Sequence, residues 1–120
     1  MRLERADPTT RKGWCIGPWN SDLHVSIGYA NEGVDEVDEP HLHLRLTEIY
    51  LVAQGTSQLR VDQETVCLEA GDVIVVEPGE SHTFLSSSAD YLPFVAHVPG
   101  PADSDPKGDE KPVSRSRLGL

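Results

Sequence analysis

Four side chains in two short stretches have the types and spacing of a metal-ligand set. His41, His43 and Glu48 lie in HLHLRLTEIYLVAQG, and His82 closes GDVIVVEPGESH. Imidazole nitrogens and a carboxylate oxygen are donors for first-row divalent metals, whereas a core built only for packing rarely gathers such residues. The donor types admit Mn, Fe, Ni, Co, Cu or Zn, so they imply one divalent metal ion without selecting it. Four protein donors on an octahedral ion leave two positions for water or substrate, the open arrangement that metal catalysis requires. A ligand with adjacent oxygens, such as a carboxylate, a diketone or a sugar hydroxyl pair, would displace those waters in a bidentate manner.

For these donors to converge, strands and turns must fall at particular places. His41 and His43 are two residues apart, so on an extended strand both point to one face. Glu48 comes five residues after His43 and would face the other way on a straight strand. A turn or bulge between Leu44 and Thr47 is therefore needed to bring it back. His82 follows a Pro78-Gly79 turn and opens the apolar run HTFL. By the same alternation Tyr50 and Val52 share the face of Glu48, and Phe84 shares that of His82. Arg45 shares the face of His43 if the strand stays regular that far, where it would offer a fixed cation to an anionic substrate; at a turn it would be a surface residue. His97, on the last apolar run, is a candidate general base or hydrogen-bond donor, with Tyr50 and Tyr29 as further titratable groups near the site. His24, in the alternating segment LHVSIGY, reads as an exposed strand residue.

Both stretches resemble the two motifs of the cupin superfamily. The first motif appears as His41-x-His43-x4-Glu48-x6-Gly55, and the second places Gly71, Gly79 and His82 in register. Asp35 stands where the family's opening glycine is expected, Glu77 where its proline is (Pro78 follows), and Ser86 where its closing asparagine is; none of these is a ligand. The resemblance implies an all-β double-stranded β-helix, the jelly-roll or cupin barrel, with a metal held by His41, His43, Glu48 and His82. It also implies activities of the dioxygenase or oxidase type, or of a sugar or carboxylate isomerase or lyase. A binding protein that captures a small molecule through the metal, and a barrel with a purely structural metal, are the alternatives.

The rest of the chain agrees with a small barrel. At 120 residues it is long enough to bury one core without disulfides. Nine prolines and ten glycines separate short apolar runs, against a helical bundle and for a sandwich or barrel. The runs are LHVSIGYA, with Leu23, Val25, Ile27 and Tyr29 on one face, then 41–46, 48–54, 56–62, 65–69, 72–77, 82–86 and 91–98. This divides the chain into an N-terminal arm and short strand (1–20), a barrel (21–98) and a flexible polar C-terminal tail (99–120). Cys15 and Cys67 make no disulfide framework, and Cys67, in the apolar TVCL, is expected as a buried free thiol. The acidic run Glu32, Asp35, Glu36, Asp38, Glu39 reads as a solvated loop before the ligand strand. Twenty acidic against ten basic residues give a net charge of −10, which repels phosphate backbones and makes nucleic acid and anionic membranes improbable partners. With no signal-peptide pattern and no apolar run of membrane-spanning length, a cytoplasmic location is expected. Trp14, Ile16 and Trp19 form an apolar group outside the motif-bearing barrel, which suggests a homodimer built on that segment.

Overall fold

Short alternating runs, each ended by glycine, proline or aspartate, satisfy their backbone only by pairing with one another, and they bury one face by pairing as two layers. A computed structural model of the chain describes residues 1–6, 13–29, 39–99 and 109–120. The described residues form strands β1 (Trp14–Ile16), β2 (Ser26–Tyr29), β3 (His41–His43), β4 (Thr47–Gln54), β5 (Thr56–Val61), β6 (Glu64–Glu69), β7 (Val73–Val76), β8 (His82–Ser87), β9 (Leu92–Val98) and β10 (Glu110–Pro112). Two five-stranded sheets result, ordered β1-β2-β9-β4-β7 and β10-β3-β8-β5-β6. Every pairing is antiparallel, and the architecture is the all-β double-stranded β-helix. Among the described residues no helix is long and apolar enough to cross a membrane.

The core lies between the sheets. It is built from Tyr50, Val52, Leu59, Leu68, Val76 and Val95, with Trp14, Ile74 and Phe84 packed against it. Along β4 the inward positions are Glu48, Tyr50 and Val52, so the polar end of the strand leads directly into the apolar core. Tyr50 and Phe84 meet edge to face across the two sheets with ring centroids 5.0 Å apart.

Several expectations from the sequence need correction. The ligand strand does not run to residue 46: β3 stops at His43, and Leu44–Leu46 carry the chain from one sheet into the other. The turn expected between Leu44 and Thr47 is there, and it brings Glu48 to face the histidines from the opposite layer. The β2 strand begins only at Ser26, and its inward residues are Ser26 and Gly28; Ile27 and Tyr29 point outward, and Leu23 is exposed. Gly28 is inward because the indole of Trp14 lies over it, where a Cβ would come within 2.8 Å of the ring. Trp14 therefore supplies core packing while remaining half-buried. Cys67 is exposed, since it projects from the outer side of β6.

The C-terminal segment also differs from a loose tail in its described part. Residues 109–120 return to the barrel, where β10 pairs with β3 and a short 3-10 turn, Arg115–Leu118, follows. Leu118 is fully buried, and its carbonyl accepts from Arg60 Nε at 2.9 Å. One apolar anchor and backbone pairing suffice to hold a segment whose composition is otherwise polar. Most of the acidic run 32–39 lies outside the described residues; of it, Glu39 is exposed.

Candidate metal centre

The two sheets contribute donors from opposite sides. His41 and His82 are direct Cα partners across β3 and β8, His43 lies two residues along β3, and Glu48 enters from β4. One donor atom from each of His41, His43, Glu48 and His82 lies within 4.8 Å of all the others. Glu48 Oε2 is 3.0 Å from His43 Nε2 and 3.1 Å from His82 Nε2. Two donors bound at right angles to one ion, through bonds of about 2.1 Å, stand about 3 Å apart. These pairs therefore have the spacing of neighbouring ligands.

The hydrogen bonds behind the rings decide which nitrogen is free. His41 Nδ1 is 2.7 Å from Glu39 O, and His82 Nδ1 is 3.0 Å from Glu80 O. A carbonyl can only accept, so in each neutral ring Nδ1 carries the proton and Nε2 presents its lone pair to the centre. His82 Nε2 lies 3.1 Å from Glu48 Oε2, so a proton on that nitrogen or a cation between the two must bridge them. His43 Nε2 is buried and its nearest polar neighbour is Glu48 Oε2 at 3.0 Å. Three imidazoles and a carboxylate brought together in a buried site are costly unless protons or a cation sit among them. The residues present thus fit a divalent ion, which His41, His43, His82 and Glu48 would hold.

Glu48 is ready for that role. Burial pushes its carboxyl up, but the imidazoles of His43, His82 and His97 outweigh burial and hold it well below the usual carboxylate range. Its other oxygen, Oε1, accepts from Tyr50 Oη at 2.6 Å and lies 3.3 Å from His97 Nε2. Tyr50 and His97 therefore come to the site as expected from the sequence, but what they hold is the far side of the glutamate. Trp14 backs His97, with ring centroids 4.8 Å apart.

Arg45 does not face the centre. Its side chain is 85% exposed, because alternation ends with β3 at His43 and Arg45 sits in the crossover between sheets. Its partner there is Asp109, 3.4 Å away, whose carboxylate also accepts from the backbone N–H groups of Arg45 and Leu46, each at 3.1 Å. Tyr29 lies outside the cluster, against Phe94 on the outer face of its sheet. Sequence reasoning missed Asp109 and Glu110. Glu110 Oε1 lies 3.4 Å from His41 Nε2, brought there by the pairing of β10 with β3. The only signal for either residue was a pair of acidic residues in a segment that reads as solvent-facing.

Comparison with known proteins agrees with this geometry. The Cupin domain family profile matches residues 31–96, more than half of the chain and including all four convergent donors. A protein from Planctomyces limnophilus is similar in structure, with a TM-score of 0.65 at 19% identity, covering 81% of this chain and 77% of its own. A double-stranded β-helix protein from Klebsiella pneumoniae gives a TM-score of 0.55 at 19% identity, with 76% and 74% covered. The nucleoside dehydratase Pac13 of Streptomyces gives 0.55 at 16% identity, with 94% and 92% covered. No curated protein matches the sequence significantly. With the family profile lying over the ligand strands and the same two-sheet barrel in its neighbours, the chain belongs to the cupin family.

Proposed function

We propose that this cupin is a metal-dependent enzyme acting on a small polar metabolite, with one divalent ion held by His41, His43, Glu48 and His82. The observation that carries the reading is the convergence of three imidazoles and an ionised carboxylate, with the Nδ1 atoms of His41 and His82 held by backbone carbonyls behind the rings. When bound, such an ion supplies Lewis acidity toward a carbonyl, carboxylate or hydroxyl oxygen. The chain's own contribution is positional. Tyr50 and His97 hold Glu48 by Oε1, which leaves Oε2 directed toward the histidines, and the buried surroundings keep bulk water from competing.

The reactions compatible with this site are those of a dioxygenase or oxidase, or of a sugar or carboxylate isomerase or lyase. Among the structural neighbours is a nucleoside dehydratase, and this favours testing elimination from a hydroxylated substrate first. The test has two stages. Metal analysis of untagged protein, purified without added salts, is expected to find one divalent ion per chain, removable by chelator. A thermal-shift screen of nucleosides, sugars, carboxylates and diketones against loaded and stripped protein should then find a ligand that stabilises only the loaded form. At a hundred times its dissociation constant that ligand adds about 2.7 kcal/mol. Its conversion to product by the loaded protein establishes the enzyme; binding without turnover makes the protein a metal-dependent binder, and failure to take up any ion overturns the reading.

A further inference from the structure

The proposed four-ligand site uses nothing from the C-terminal segment, yet that segment ends its return to the barrel beside His41. We infer that Glu110, supplied by β10, is a fifth metal ligand. The inference rests on the metal-binding reading above and adds a second carboxylate to it.

Register makes the first argument. Glu110 is the direct Cα partner of His43 in the antiparallel β10–β3 pair. Directly opposed residues in such a pair project to the same face, so Glu110 shares the face of His43 and of His41 two residues before it. Contact makes the second. His41 Nδ1 donates to Glu39 O, which leaves Nε2 on the other side of the ring, and 3.4 Å from Nε2 lies Glu110 Oε1. The contact has nearly the spacing seen between Glu48 and its two histidines. The third is reach. The Glu110 side chain is 36% exposed and so keeps rotamer freedom, whereas its backbone is fixed: Leu44 N–H donates to Asp109 O at 3.0 Å and Val113 N–H to Pro40 O at 3.0 Å. Glu110 is not among the four mutually convergent donors; it lies beside His41, on the strand paired with the His41–His43 strand.

A second carboxylate shifts preference toward harder cations such as Mn2+ and Fe2+ and away from the softer end of the series. The test is titration of the full chain, stripped of metal, with Co2+ and Mn2+. Co2+ absorption reports coordination, and calorimetry reports affinity. In Glu110→Gln we expect affinity at least about tenfold weaker, a changed Co2+ spectrum, and a larger loss for Mn2+ than for Co2+. Glu110→Asp keeps the charge on a shorter stem and should also be weakened and spectrally altered. Lys111→Ala, the neighbouring position on the other face of β10, should bind as the wild type does. If Glu110→Gln matches the wild type in affinity and spectrum, or if Glu110→Asp does while Glu110→Gln is merely weaker, the carboxylate is not a ligand and the inference fails. In both cases wild-type binding stands. A wild type that binds neither ion overturns the four-ligand reading and this inference together.

Discussion

Tyr50 shows how much of a site can rest on a side chain that is not itself a donor. Its 2.6 Å hydrogen bond to Glu48 Oε1 is charge-assisted, and partners of this kind orient the ligand and tune its basicity. Tyr50→Phe should keep the fold and weaken metal binding about 10-fold to 100-fold, measured by chelator competition; unchanged affinity would show that packing alone orients the glutamate. His82→Ala is a harsher change, since the ring is fully buried. It should lose most metal and about 2–3 kcal/mol of stability, yet retain its β-sheet spectrum, because the core cluster around Leu59 and Val95 contains no ligand. His24→Ala, at an exposed bend, is the matched control. A His82→Ala protein with full metal content would refute the assigned site. At this scale the donors were legible because two of them share one short strand and the others follow recognisable turns. Arg45 was misplaced because alternation says nothing about where a strand stops. Asp109 and Glu110 were invisible because their partners lie more than sixty residues away and the intervening sequence gives no register.

The elements that mattered most for the site are the crossover Leu44–Leu46 and the strand that covers it. Asp109 closes the crossover with its carboxylate on the N–H groups of Arg45 and Leu46. Burial pushes that carboxyl up, but these backbone donors, the Arg45 side chain and nearby His43 outweigh burial and leave it below its usual range. A carboxyl held lower in the folded chain than in the unfolded one, where it titrates near about 3.9, contributes stability that is complete above that value and lost as pH falls through the lowered one. Asp109→Asn should therefore lower the melting temperature at neutral pH and flatten its decline below about pH 4. An unchanged acid limb would mean that the crossover does not depend on this charge. The Pro78-Gly79 turn makes a separate case. Gly79 has φ +84° and its N–H donates to His43 O at 2.8 Å, so the turn before His82 is tied to the other ligand strand. A Cβ there meets nothing within 4 Å, so Gly79→Val should cost about 1–3 kcal/mol through backbone strain alone. Ser86→Ala, on the exposed part of β8, should stay within about 0.5 kcal/mol of the wild type. Strand positions and turn glycines could be read from the sequence, since period and punctuation are local. Which sheet each strand joins could not, and that is what put Glu48 opposite the histidines.

For the whole molecule, the corrected position of Trp14 moves the expected dimer contact. With Trp14 packed against His97 and the core, part of the N-terminal apolar group is already covered within the chain. The outer face of the β1-β2-β9-β4-β7 sheet offers another. Val73, Leu51 and Phe94 line up across β7, β4 and β9 through direct pairings, with Tyr29 beyond them on β2, and Val75 and Ile49 make a parallel row beside them. Val73, Val75, Leu51 and Phe94 are 59%, 47%, 40% and 38% exposed, a contiguous apolar surface rather than scattered single residues. The rows carry no charge, in a chain whose net charge is −10. A second copy meeting this face about a twofold axis would bury it against itself without opposing like charges. The expected assembly is therefore a homodimer joined outer face to outer face, which leaves both metal centres between their own sheets. Light scattering at micromolar concentration should give the dimer mass for the wild type and for Trp19→Ala. Combining Val75→Lys with Phe94→Glu should give a folded monomer that still binds metal. A wild-type monomer, or a dimer that survives both charges on this sheet, would exclude the face as the contact.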